Sequence, residues 1–136
     1  MARRYRSVLF VSFMLFLTVV PVLAHHSASS MYDPANKITL KGTITKVAWV
    51  NPHLAIYLDA PDPKQGGKVV NWELGDGQSP NGLYRKGWRK EDLKIGDAVT
   101  VQDCTLARDG TNKVGGGIII LANDEKVFTG TKGDGL

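Results

Sequence analysis

From Ile38 to Ala48 apolar and polar side chains alternate. Ile38, Leu40, Gly42 and Ile44 share one phase, and Thr39, Lys41, Thr43 and Thr45 the other, the period of a strand with one buried face. The phase then slips, because the next apolar side chains are Val47 and Trp49. A one-residue slip turns side chains to the opposite face unless a bulge absorbs it. A long strand with a central glycine and a bulge suits a small barrel, where one strand bends round a corner and serves both halves. Asn51-Pro52 stops the strand.

Further strands follow from the same alternation. Leu54, Ile56 and Leu58 point inward from a second strand, and Val70, Trp72 and Leu74 from a third over Lys68 to Leu74. The segment Asp59 to Gly67, rich in Pro and Gly, reads as the loop between them. Ser79 is a natural N-cap and Pro80 suits a first helical turn, so a short helix is expected from Pro80 to Lys86, ended by Gly87. A fourth strand runs from Ala98 to about Leu106 and again slips phase, from Val99 and Val101 to Cys104 and Leu106. Asp109-Gly110 is a hairpin turn leading to a fifth strand, Val114 to Leu121, and Lys126 to Thr129 is a short closing strand. The expected core is Ile38, Leu40, Ile44, Leu54, Ile56, Leu58, Val70, Trp72, Leu74, Leu83, Val99, Val101, Ile119 and Leu121. Three strands, a short helix and two strands, the first long and bent, is the order of an OB-type barrel. The expected class is therefore all-β with one short helix, a small OB-like five-stranded antiparallel barrel. The alternative is an open antiparallel sheet with the helix across one face.

The N-terminus changes the accounting. Arg3, Arg4 and Arg6 precede an almost wholly apolar run, Val8 to Val20, and Pro21-Val22-Leu23-Ala24 places Val22 and Ala24 where a signal peptidase reads small residues. This predicts a secretory signal cleaved after Ala24, a periplasmic or secreted protein, and no membrane span once the signal is gone. The expected division is a signal peptide at 1–24, a flexible arm at 25–36, a barrel at 37–130 and a disordered tail at 131–136. Cleavage removes three of the 17 Lys and Arg, leaving 14 against 13 Asp and Glu, a net charge of +1. A nucleic-acid partner calls for a net basic surface, so none is expected. Cys104 is the only cysteine. An internal disulfide is excluded, and the thiol reads either as a small buried apolar group or as a soft metal ligand or intermolecular bridge.

Four features resemble a family of small exported bacterial proteins catalogued as domain of unknown function 6152. They are His25-His26-Ser27; Leu40-Lys-Gly-Thr-Ile-Thr-Lys-Val-Ala-Trp-Val-Asn-Pro-His53; Ser79-Pro-Asn-Gly-Leu83 with Gly87-Trp88; and Ile95-Gly-Asp-Ala-Val-Thr-Val101. The chain departs from the usual pattern at Asp76-Gly-Gln78, at Cys104 and in the Gly115–Gly117 run. The resemblance implies export and a single domain, and it implies no reaction.

The chain has three histidines, and their placement is its main chemical signal. Cleavage after Ala24 makes His25 the first residue, so its α-amine and ring Nδ1 can chelate one metal while His26 or His53 supplies a third nitrogen. Such a brace suits copper(II), which favours tetragonal nitrogen ligation, and near-neutral pH leaves enough of these nitrogens unprotonated to bind. The competing reading is a solvated His-His pair on an arm, with His53 merely following a turn. A second candidate is a ligand face of Trp49, Tyr57, Trp88 and Glu73, since OB-type barrels bind ligands across strands two and three and adjoining loops; a small ligand or a protein partner would then be held without metal. Against it, Trp72 and Trp49 suit a core. No Gly-x-Ser-x-Gly elbow or other catalytic motif occurs, so a binding protein rather than an enzyme is expected.

Overall fold

The computed structural model describes residues 28–134 apart from position 76. After a helical turn, α1 (Ala28–Met31), the chain enters β1 (Tyr32–Ala48), whose two ends serve different neighbours. Its first part pairs antiparallel with β4 (Ala98–Ala107) and its last part with β2 (Ala55–Asp62); Thr43 is the handover, opposite Ala98 on one side and Asp59 on the other. The expected phase slip is real: the register with β2 shifts between Ile44 and Lys46, which lets Ile44 and Val47 both reach the interior. Gly42 sits beside the handover, and a Cβ there would lie 2.1 Å from the Asp59 carbonyl oxygen. Only glycine allows the two backbones that close.

β3 (Lys68–Gly75) pairs antiparallel with β2 along its full length, and β5 (Lys113–Gly115) pairs parallel with its end, Glu73 to Gly75. β5 also pairs with β4, and β4 with β1, so the order β1-β2-β3-β5-β4 returns to β1 and closes a five-stranded barrel. All of these pairings are antiparallel except β3–β5, which departs from a purely antiparallel barrel. Outside it, β6 (Ile118–Leu121) continues along β4, and β7 (Lys126–Val127) pairs with β6.

Several boundaries differ from those expected. β1 begins at Tyr32, so part of the expected arm is strand. β2 runs on to Asp62 through Pro61, which faces Val69. Proline is tolerated because β1 has already turned away after Asp59, leaving no partner on that side. The hairpin then closes on a 3-10 turn, Pro63–Gln65, where buried Asp62 accepts the Lys64 N–H at 2.8 Å. The expected fifth strand is two, β5 and β6, divided at Gly116 and Gly117, both at positive φ (65° and 96°). The break falls opposite Asp103, itself at φ 59°, so both strands bend at one corner.

The helix α2 (Pro80–Arg85) has the expected cap, with Ser79 Oγ accepting the Gly82 N–H at 3.0 Å and Pro80 in the first turn. It buries Leu83 completely. The core matches expectation for most residues, though Ile38, Val70 and Leu121 are only partly buried; Trp88, Leu93, Cys104, Leu106, Val114, Val127 and Phe128 join it. The closing segment is tied down beyond the expected tail boundary. The Gln78 amide donates to the Phe128 carbonyl (3.0 Å), Trp88 Nε1 to Gly130 (3.0 Å) and the Lys132 N–H to Lys86 (2.8 Å), while Lys132 Nζ pairs with Asp92.

Candidate functional site

The turn between β1 and β2 is built by a cis Asn51–Pro52 bond and by the Leu54 N–H, which donates to Gln78 at 2.9 Å. His53 projects from it, exposed and without a hydrogen-bond partner among the described residues. Trp49, at the start of the turn, is half-buried and packs its ring 5.5 Å from that of Phe128, tilted by 55°. His25 and His26 lie outside the described residues. Among those described, no group of three or more His, Cys, Asp and Glu is arranged to hold a metal ion.

The root of the N-terminal arm reaches the same end of the barrel. Tyr32 packs its ring against Gly115 and brings its hydroxyl to Gly75, which faces Ala55 across β2–β3, two residues after His53. Partial burial, reinforced by the Glu73 carboxylate, raises the phenol above its ordinary range. The Arg108 N–H donates to the Met31 carbonyl at 2.9 Å and Arg108 Nε to that of Tyr32 at 3.2 Å, anchoring this entry to the β4–β5 turn.

The four residues expected to share a ligand face separate into two groups. Tyr57 and Glu73 are direct neighbours on the outer side of β2 and β3; Lys46 Nζ lies 5.1 Å from the Tyr57 ring centre, and Glu73 pairs with Lys113 at 3.5 Å. Trp88 is not on that face. It is 3% exposed and meets Phe128 edge-on at 5.9 Å, so it belongs with Trp49 in an aromatic cluster. One side of it borders a shallow cleft of about 290 Å³ between the β6–β7 turn and residues 129–134. Cys104 is fully buried, its Sγ donating to the Ile38 carbonyl at 3.2 Å, and burial pushes the thiol up to about 11. A thiol so placed is structural rather than reactive.

Sequence reading missed Tyr32, which it placed on the arm. The one sign was at its destination: glycines within strands, at 75 and 115, mark places where another group approaches closely.

Barrel closure in the order β1-β2-β3-β5-β4, with a helix between β3 and β4, defines a small OB-like protein. The chain matches the family of unknown function designated domain of unknown function 6152 over residues 14–116, and it belongs to that family. No curated protein and no solved structure matches the chain.

Proposed function

We propose that this is an exported binding protein that captures copper(II) through its N-terminal histidines, the metal held by the α-amine and ring of His25 with His26 or His53 completing the set. The carrying observation is that Tyr32, the root of the arm, packs beside Gly75, the partner of Ala55. Going back from Tyr32 to His25, a helical turn adds about 6 Å and three further residues at most about 10 Å of reach. From Gly75 to His53 the path is about 5 Å across the ladder and about 7 Å along two residues. Tyr32 meets Gly75 through its hydroxyl, so its own side chain adds about 6 Å to the second path. The two lengths, about 16 and 18 Å, are of the same order, which supports a meeting of His25 with the exposed His53 imidazole, unpartnered among the described residues. The donor set, amine and imidazole without thiolate, favours copper(II) over softer or harder ions.

The test uses protein matured after Ala24, titrated with copper(II) beside a variant carrying one extra residue ahead of His25, and beside His53→Ala. The brace predicts much weaker binding when the α-amine is displaced; equal affinity would exclude it. Weakening by His53→Ala identifies His53 as the third ligand, whereas an unchanged affinity assigns that place to His26.

A further inference from the structure

Tyr32 lies flat on the barrel. A Cβ built on Gly115 would meet its ring atoms Cδ2, Cγ and Cε2 at 2.6, 2.7 and 2.8 Å, and one built on Gly75 would meet its hydroxyl oxygen at 3.0 Å. Three adjoining ring atoms at nearly one distance place the ring face-on against the Gly115 backbone. Gly75 and Gly115 are partners across the β3–β5 seam, so one face of the ring covers the seam, while Tyr32 as a whole is only half-buried. The two Arg108 hydrogen bonds hold the backbone here, one at the Met31 carbonyl and one at that of Tyr32.

Beside this ring the barrel shows hydrogen-bonding groups in register. Tyr57, Glu73 and Lys113 form one row across β2, β3 and β5, and Asp59 and Asn71 start the next. Asn71 Nδ2 donates to Asp59 Oδ1 at 2.7 Å and to Thr45 Oγ1 at 2.9 Å, and Glu73 is paired with Lys113. With Lys46 beside the Tyr57 ring, two ammonium groups (Lys46 and Lys113) face two carboxylates (Asp59 and Glu73), which does not suit a polyphosphate chain, whose binding needs net positive charge. The outward side chains are too polar for an apolar helix. A fixed aromatic face bordered by planar acceptors, the Asn71 amide oxygen among them, and by ammonium donors suits a pyranose ring. Its C–H face stacks on the aromatic ring, while each hydroxyl both donates and accepts.

We propose that this face binds a neutral saccharide, with Tyr32 as the stacking platform and Glu73, Lys113 and Asn71 as partners of its hydroxyls. The inference is independent of the copper site, so it is tested on metal-free protein in EDTA. Backbone amide NMR shifts are followed on titration with millimolar maltohexaose, cellohexaose and chitohexaose, and with oligothymidylate for comparison. At least one hexasaccharide is expected to move the amides of Tyr32, Glu73 and Gly115. Tyr32→Ala is expected to weaken that binding about tenfold or more, and Tyr32→Phe, which keeps the ring, far less. Should Tyr32→Ala not fold, Glu73→Ala serves instead, with an expected loss of about threefold or more for the missing hydrogen bond. The proposal is overturned if no hexasaccharide shifts these amides, if the shifts map elsewhere, if the variants bind like the native protein, or if only oligothymidylate moves them.

Discussion

Replacing Gly42 by alanine tests the barrel corner directly. The added Cβ would lie 2.1 Å from the Asp59 carbonyl oxygen, 2.9 Å from its carbon and 2.8 Å from the Ala60 Cβ. Two of these three atoms are backbone, so no side-chain rotation relieves the contact. Reaching an ordinary separation of about 3.4 Å moves β1 and β2 apart by more than 1 Å where Thr43 faces both Asp59 and Ala98. Overpacking of this kind costs about 1–3 kcal/mol, and a strained ladder hydrogen bond adds about 1 kcal/mol. The reduced freedom of the unfolded chain returns roughly 0.4–1 kcal/mol. The net is a loss of about 1–3.5 kcal/mol. In a domain near 100 residues that lowers Tm by about 5–25 °C. Urea and thermal unfolding of the matured chain, followed by circular dichroism, would show a lower midpoint at an unchanged m value. Thr39→Ala, exposed on the same strand, serves as the control and should stay within about 0.5 kcal/mol. If Gly42→Ala is as stable as that control, the close approach is not what requires glycine here.

Cys104 should resist maleimide or disulfide reagents in the native protein and react only on unfolding; rapid native labelling would contradict its burial. Its folded value of about 11 lies above that of an unfolded thiol, so its contribution is complete below the unfolded value and is lost as pH rises through about 11. Stability measured against Cys104→Ala should decline across that alkaline window. For Asp92 the opposite sign holds. Desolvation raises its pKa, but hydrogen bonds from Lys132 and from the Arg89 N–H outweigh it and leave the carboxyl lowered. That stability is present above the unfolded value and lost as pH falls through the folded one. Lys132→Met should therefore cost up to about 1 kcal/mol at neutral pH, as exposed pairs do. The difference should vanish in acid titrations, well below about pH 4; a difference that persists there would show that the side chain acts by packing on Trp88 instead.

The proposed copper site rests on local logic, an expected cleavage that would put His25 first and a chain with few histidines, and of its candidate ligands the described residues include only His53, at an exposed turn. Of the four residues expected to share one face, only two do. Tyr57 and Glu73 share it because residues of matching phase on paired strands must. Trp88 was misplaced because nothing near it shows that Phe128 and Gly130, some forty positions later, come back to bury its ring and accept from its indole N–H. Tyr32 was misread for the converse reason: its segment has no periodic apolar face, and its packing surface is a pair of glycines far along the chain.

The amino-acid sequence by itself determined the central runs of β1 to β4, the bulge after Ile44, the Ser79 cap and the Asp109-Gly110 turn. Each follows from chemistry within a few residues: a period of two, an accepting hydroxyl, a missing N–H, a glycine free at positive φ. Only the tertiary structure decided that β5 runs parallel to β3, that β4 closes on β1, that the arm enters over Gly115 and that the closing segment is pinned across Trp88. Those pairings join residues distant in sequence, and they exist only once the barrel has closed and brought the unpaired strand edges and exposed rings within reach of one another.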